Sequence, residues 1–245
     1  MNILRLTLTT LRRAPAVQRA ALLSIVALSA LSFTQHAAAQ AAAYQITLAN
    51  LTSAAQTAGA PSTQTGQRLS PPVFVTHSSA YNMYTLGQAA PETIWRIAES
   101  GDRSFLLNEV NGLMGTSVLS VQAPLSAPLP QQQSVTVTVQ ANAANRFLSF
   151  ASMLGWTNDG FVGVRSLDLS TVSGSLTVNL LAYDAGSEKN NEANGFLNAL
   201  GLGNARDLET GVITNHPGIR GDANAPAAWN WLPGPVASLT ITAMP

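Results

Sequence analysis

Three carboxylates stand at the edges of two apolar, strand-like runs in the second half of the chain. Asp159 comes just before the run that starts at Phe161, whereas Asp184 and Glu188 follow the run that ends at Tyr183. If the two loops meet, three like charges lie close together, and they do not all stay ionised without a cation. Calcium is the cation that suits a group of hard oxygen ligands on loops. The spacing therefore indicates a calcium site made by Asp159, Asp184 and Glu188.

Turn capping is the alternative use of the same residues. Asp159 and Asp184 could accept hydrogen bonds from backbone N–H groups and so stabilise tight turns, which is a common role of aspartate. Gly186 favours the ligand interpretation, because glycine lets the second loop bend until Asp184 and Glu188 face one point. Other nearby oxygens, which we expect on the solvated surface, are those of Asn191 and Glu192.

Other catalytic or metal chemistry has little support in the sequence, and we predict no catalytic residue. The chain has no cysteine, so a thiolate metal site and a cysteine nucleophile are excluded. His77 and His216 lack the spacing of a zinc motif, and structural hydrogen bonding is the expected role of both. There is no serine-nucleophile motif and no phosphate-binding loop. Trp229 and Trp231 could stack on a sugar, but we expect them to pack in the core.

Two rival functions would use the same carboxylates. A hydrolase or lyase acting on an extracellular polymer could use two of them as acid and base, if they lie about 5–9 Å apart in an open cleft. A calcium-dependent lipid-binding module would use them to bridge an ion to lipid head groups, although basic residues are scarce near these loops.

The N-terminus has the pattern of an export signal. A basic segment is followed by an apolar run over residues 20–33 and by a small-residue cleavage site at Ala37–Ala39. This pattern predicts a signal peptide over residues 1–39 and a mature domain over residues 40–245, secreted or periplasmic. An uncleaved N-terminal anchor is the alternative. The basic residues of the segment are Arg5, Arg12, Arg13 and Arg19.

The composition of the mature domain excludes some classes of binding partner. Four of the 12 basic residues lie in the predicted signal, which leaves 8 basic residues against 12 acidic ones and a net charge of −4. An acidic protein is a poor ligand for nucleic acid or anionic membranes. No later apolar run is long enough to span a bilayer, so no transmembrane segment is expected. We expect a monomer that binds an unidentified extracellular or cell-surface partner.

Short strand patterns dominate the mature chain and predict a β-sandwich of about eight strands. The connections contain a few predicted short helices, at 91–99, 105–113 and 192–200. The predicted strands cover residues 44–50, 73–77, 117–122, 134–140, 147–154, 161–164, 175–183 and 236–242.

Several motifs in order resemble a known family. They are Ser70–His77, Ala98–Asp102, Ala151–Leu154, Thr157–Gly163, Ala182–Glu188 and His216–Ile219, within roughly residues 44–244. Together they resemble the secreted bacterial members of the spondin N-terminal domain family, which also occurs in animal F-spondin and mindin. The resemblance implies an antiparallel β-sandwich similar to a C2 domain.

The resemblance also implies a calcium site, with Asp159, Asp184 and Glu188 at the positions of its ligands. It implies an extracellular, non-enzymatic module with an adhesion or surface-binding role. This chain departs from the pattern in three respects. Glu188 stands where animal members have a second aspartate, Trp156 stands where a proline is common, and the cysteines of the animal domains are absent.

Overall fold

The computed structural model describes residues 42–53, 66–197 and 205–245, which form ten strands and two α-helices. The strands are β1 (Ala42–Asn50), β2 (Val73–His77), β3 (Val118–Gln122), β4 (Ser134–Ala141), β5 (Phe147–Met153), β6 (Gly160–Asp168), β7 (Ser175–Leu180), β8 (Ala182–Asp184), β9 (Thr214–Asn215) and β10 (Ala237–Ala243). The helices are α1 (Glu92–Ser100) and α2 (Ser104–Gly112), and two 3₁₀ turns cover Leu169–Thr171 and Ala227–Trp229.

The first sheet has four strands in the order β4-β1-β10-β7, all antiparallel. Three of its strands, β1, β4 and β10, alternate between buried and more exposed positions, because one face packs on the core and the other faces solvent. In β4, for example, Val137 and Val139 are buried while Thr136 and Thr138 are exposed. The outer face carries hydroxyl side chains that pair across strands, such as Thr47 with Thr136 at 2.9 Å.

The second sheet has six strands in the order β3-β2-β5-β6-β8-β9, again antiparallel. Its central strands are apolar on both faces, because one face packs on the first sheet and the other on the helices. Phe74 and Phe150 belong to the core between the sheets, with ring centroids 5.2 Å apart. Val75 and Phe161 belong to a second core against α1 and α2.

Helix α1 covers the outer face of the six-stranded sheet. Its apolar stripe buries Ile94, Ile97 and Ala98, as the spacing of these residues predicts. The helix is capped by Gly101, which adopts the left-handed conformation with φ 70°, and its backbone N–H donates to the carbonyl oxygens of Arg96 and Ile97 in the last turn. Helix α2 follows directly and buries Leu106 and Val110.

The predicted all-β sandwich is confirmed, and two details of the prediction are wrong. The run over residues 175–183 was predicted as one strand, but it is two strands in different sheets, divided at Leu181. Leu180 pairs with Ala237 in the first sheet, and Ala182 pairs with Val162 in the second. The predicted helix over 192–200 is also absent from its described part, residues 192–197, which form turns.

Two further predictions concern the N-terminal signal peptide and transmembrane segments. The predicted signal peptide, residues 1–39, lies outside the described residues. In the part of the chain that the structure describes, no helix has both the length and the apolar character that a membrane crossing requires.

Candidate metal centre

The division at Leu181 brings the two predicted loops together. Because β8 joins the second sheet, Asp184 pairs with Gly160 at the start of β6. The backbone N–H of Ala185 donates to the carbonyl oxygen of Asp159 at 3.1 Å. Asp159 and Asp184 therefore lie at the same end of two neighbouring strands.

Tight turns shape both loops. Before β6, the Thr157 hydroxyl donates to the Leu154 carbonyl at 2.7 Å and accepts the N–H of Gly160 at 2.9 Å. After β8, Gly186 has φ +70°, and a β-carbon there would lie 2.6 Å from the backbone nitrogen of Val212. Only glycine fits this position, because both the conformation and the close approach of the neighbouring backbone exclude a side chain.

Asp159 is fully buried, and its two carboxylate oxygens have different surroundings. Oδ2 accepts the backbone N–H groups of Ser187 at 2.8 Å and of Glu188 at 3.0 Å. Oδ1 is buried and makes no hydrogen bond within the described residues. Burial raises the pKa of Asp159 to about 7, the charge of Asp184 adds to this rise, and the N–H donors oppose it.

Asp184 is also buried, at 5% exposure, and both of its oxygens accept hydrogen bonds. Oδ1 accepts the N–H of Gly186 at 2.7 Å, which is the turn-capping contact that the sequence left open. Oδ2 accepts the side-chain amide of Asn190 at 2.6 Å. Backbone donors therefore account for one oxygen of each aspartate, but Asp184 caps its own turn whereas Asp159 binds the loop after β8.

Glu188 is buried, but its carboxylate is bound to a cationic side chain. Oε1 accepts Nε of Arg206 at 3.0 Å, and the same guanidinium binds Glu99 of α1. Burial raises the pKa of Glu188 to about 7, while the hydrogen bond from Arg206 opposes this rise and the charge of Glu99 adds to it.

The charge of Asp184 thus raises the pKa of Asp159, and the charge of Asp159 adds to the rise in the pKa of Glu188, whose carboxylate is bound to Arg206. Among residues 42–53, 66–197 and 205–245, no three Asp, Glu, His or Cys side chains are grouped closely enough to hold a metal ion. Two of the three predicted ligands nevertheless fit a cation, since Asp159 has a buried oxygen without a partner among these residues and the charge of Asp184 opposes its ionisation. The third predicted ligand, Glu188, could offer Oε1 to a cation only after its hydrogen bond with Arg206 breaks.

A small cavity lies next to Asn190, the partner of Asp184, although none of the three carboxylates lines it. Its lining includes Asn158, Asn190 and His216, and its volume of about 10 Å³ leaves room for one water-sized occupant. His216 Nδ1 accepts the N–H of Gly218 at 3.0 Å, so Nε2 carries the proton of the neutral ring. Burial lowers the pKa of His216 to about 4, although the charge of Asp184 opposes this. A protonated nitrogen is not a metal ligand.

The histidines do not form a zinc pair. His77 ends β2 and His216 follows β9, so four strand spacings, about 19 Å, separate them in the sheet. His77 is fully buried, and its ring nitrogens bind the Ser78 carbonyl and the Ser149 hydroxyl, each at 2.8 Å. The predicted structural role of His77 is confirmed.

Two predictions for other polar and aromatic residues have opposite outcomes. Trp229 and Trp231 are buried, and the ring centroids of Trp229 and Trp156 are 4.7 Å apart, which confirms core packing.

Glu192 was expected on the surface but is 5% exposed. Its carboxylate accepts the backbone N–H groups of Arg220 at 2.6 Å and Gly221 at 2.7 Å. These partners are 28 and 29 residues away, so no local pattern indicates them.

Besides Asn190, which donates to Asp184, sequence reasoning missed Arg206. Its partner Glu188 is 18 residues away, and no motif joins the two. Its position follows from backbone pairing, because the N–H of Glu209 donates to the Ser187 carbonyl at 3.1 Å and that of Lys189 donates to the Asp207 carbonyl at 2.7 Å.

Comparison with known proteins identifies the family. A search of curated proteins found no match. The spondin N-terminal domain model, Spondin_N, matches residues 42–193, a range that includes all three carboxylates and excludes the predicted motif at His216–Ile219. Membership of this family supports an extracellular, non-enzymatic module. Because the match covers more than half of the chain, the protein belongs to the spondin N-terminal domain family.

Proposed function

We propose that this protein is a calcium-binding extracellular module with an adhesion or surface-binding role. The observation that carries the proposal is Oδ1 of Asp159, a buried oxygen just before β6 that has no hydrogen bond within the described part of the chain. A buried carboxylate oxygen is costly unless a donor or a cation compensates it. Asp184, which adds to the rise in the pKa of Asp159, increases that cost.

Asp159 and Asp184 are the proposed ligands, with Glu188 joining them once it is released from Arg206. Calcium is favoured over transition metals because the donor set is carboxylate, amide and carbonyl oxygen without a free imidazole nitrogen or a thiolate. When bound, the ion would supply the positive charge that connects the loop before β6 to the loop after β8. The remaining oxygens would come from backbone carbonyls and water.

The burial of the carboxylates supports ion binding over the alternative function as a hydrolase or lyase. Asp159, Asp184 and Glu188 are all at most 5% exposed. The neighbouring cavity of about 10 Å³ is far smaller than a sugar ring. A polymer-cleaving site needs acid and base groups that flank a bond in an open cleft.

Calorimetric titration of the full chain with calcium tests the metal site. We expect saturable binding by the wild type, weaker binding of magnesium, and no calcium binding by an Asp159→Asn/Asp184→Asn double variant. Magnesium should bind more weakly because it requires a smaller, near-octahedral site. No heat of binding up to millimolar calcium would mean that the carboxylates only cap turns.

The adhesion role has its own test. Labelled protein is incubated with intact cells, and retained protein is measured with calcium or with chelator. We expect retention of the wild type in calcium, and loss of retention in chelator and in the double variant. Equal retention in all conditions would place the binding surface away from the carboxylates. Retention on protein-free phosphatidylserine vesicles instead of cells would favour the lipid-binding alternative.

A further inference from the structure

Arg206 is already bound to one of the three carboxylates of the candidate site. We propose that it competes with the divalent cation for Glu188 and thereby sets the affinity of the site. The inference rests on the proposed calcium site and names its regulator. It concerns a residue beyond the part of the chain that the family model matches, which ends at residue 193.

The contacts of Arg206 place its charge between a buried acid, Glu188, and a partly buried one, Glu99. Nε donates to Glu188 Oε1 at 3.0 Å, and Nη2 donates to Glu99 Oε1. The side chains of Glu188 and Glu99 are 4% and 9% exposed, whereas that of Arg206 is 43% exposed. A charge-assisted bond of a guanidinium to a carboxylate is among the stronger protein hydrogen bonds, and burial of the acid protects it from water.

Stacking holds the guanidinium in this position. Cζ of Arg206 lies 5.0 Å from the centre of the Trp95 ring. Arg96 stacks on the same tryptophan at 4.6 Å and on Phe105 at 4.0 Å. Cations over aromatic faces are attracted by the ring quadrupole, so α1 presents a prepared surface for Arg206. Less side-chain freedom is therefore lost when Arg206 binds Glu188.

The length of the Glu188 side chain explains why Arg206 and calcium compete for this acid. Glutamate is one methylene longer than aspartate, so its carboxylate extends further from the backbone than that of Asp159 or Asp184. The backbone N–H of Glu188 remains bound to Asp159, while its carboxylate is bound to Arg206. Calcium therefore gains Oε1 of Glu188 only if the Arg206 bond breaks, and the energy of that bond is subtracted from the binding free energy.

Calcium titration of Arg206 variants tests the competition. The proteins are the full-length wild type, Arg206→Gln, Arg206→Lys and the control Arg146→Gln. Arg146 also pairs with a carboxylate at 2.9 Å, but with Asp168 at the opposite end of β6. We expect Arg206→Gln to bind calcium about threefold to tenfold more tightly, which corresponds to the strength of a partly exposed ion pair. Arg206→Lys should lie between it and the wild type, because lysine keeps the charge without the planar fork.

The melting temperature gives a second readout that does not require a measured affinity. In chelator, Arg206→Gln should melt below the wild type, since Glu188 loses its cationic partner in a buried position. In saturating calcium this difference should shrink or reverse. Arg146→Gln should show the same small difference in both conditions.

The outcomes separate the two proposals. If the wild type binds calcium and Arg206→Gln binds it equally or less tightly, Arg206 only positions Glu188 and the competition is wrong, while the calcium site stands. If neither protein binds calcium, both proposals are wrong. If only Arg206→Gln binds it, the competition is supported and explains why the wild-type site is weak.

Discussion

Only one of the two carboxylate oxygens of Asp159 accepts hydrogen bonds from the described residues. Its Oδ2 accepts two backbone N–H groups, whereas Oδ1 is buried without a donor in the described part of the chain. The neighbouring charge of Asp184 makes ionisation of Asp159 harder still. A cation would stabilise this carboxylate and remove the repulsion, which is why the calcium site is argued from this residue.

Replacing Asp159 with asparagine should have effects of opposite sign in chelator and in calcium. Asparagine keeps an oxygen for the two N–H donors and removes the buried charge, so we expect the variant to be more stable than the wild type in chelator at pH 8. The expected gain is about 1–3 kcal/mol. In saturating calcium the wild type should be the more stable protein. Thermal unfolding in the two buffers measures both differences.

The control for this substitution is Asp168→Asn. Asp168 caps the turn after β6 through Ser170 and pairs with Arg146, so it has a capping role without a place in the site. Its replacement should cause a small loss that is equal in both buffers. If Asp159→Asn behaves in the same way, Asp159 is a turn cap.

His77 should make stability depend on pH. Nδ1 faces the Ser78 carbonyl and therefore donates, so Nε2 accepts from Ser149, whose hydroxyl oxygen accepts the N–H of Ser166. Burial lowers the pKa of His77 below its ordinary value of 6.5. Below pH 6.5 the unfolded chain therefore binds a proton at His77 more readily than the folded protein does. The free energy of unfolding is unaffected by His77 above pH 6.5 and decreases as the pH falls below that value.

We therefore expect the wild type to lose more stability than His77→Gln between pH 7 and pH 5. Melting temperatures measured at intervals across this range test the difference. His216, Asp159 and Glu188 titrate in both proteins, so their contributions cancel. Parallel curves for the two proteins would contradict the prediction.

At the scale of elements, the crossing of the chain between sheets is what forms the candidate site. The sequence predicted the strand residues around 175–183, because apolar and polar positions continue through the run. It did not reveal the crossing at Leu181, since the alternation is the same whether a strand stays in one sheet or changes sheets. The two-residue strand β9 has too little pattern to be predicted, and its position depends on pairing with Asp184.

The loop after β8 should depend strongly on Gly186. Replacement by alanine adds a β-carbon 2.6 Å from a backbone atom and strains a residue with φ +70°, so we expect a loss of about 2–4 kcal/mol. Gly174 is a matched control, because it has φ +74° with no atom within 4 Å of an added β-carbon. Its replacement by alanine should cost only about 1 kcal/mol. Similar losses for both variants, measured by denaturant unfolding, would contradict the packing argument.

At the scale of the whole described domain, the six-stranded sheet is shared by two cores. Phe74 and Phe150 face the four-stranded sheet, while Phe161 and Val75 face the helices. Sequence reasoning predicted the sandwich class and the helix stripe, because both follow from local periodicity. It did not predict the partners of Glu188 and Glu192, because those contacts join distant segments.

Because the two cores share one sheet, the domain should unfold in one transition. Phe150→Ala should cost about 3–5 kcal/mol and Ile97→Ala about 2–5 kcal/mol, since both side chains are at most 1% exposed. Thr138→Ala on the outer face of β4 should change stability by less than about 0.5 kcal/mol. Circular dichroism and tryptophan fluorescence should report the same midpoint for each protein. A separate early transition in Ile97→Ala would show that the helices unfold independently.

The most direct test of the calcium site is a crystal structure of the protein grown in calcium, with an anomalous difference map. We predict a peak at about 2.3–2.6 Å from Oδ1 of Asp159, with Asp184 as a second ligand. A map with no peak beside Asp159, in a crystal saturated with calcium, would contradict the calcium site and leave the carboxylates as turn caps.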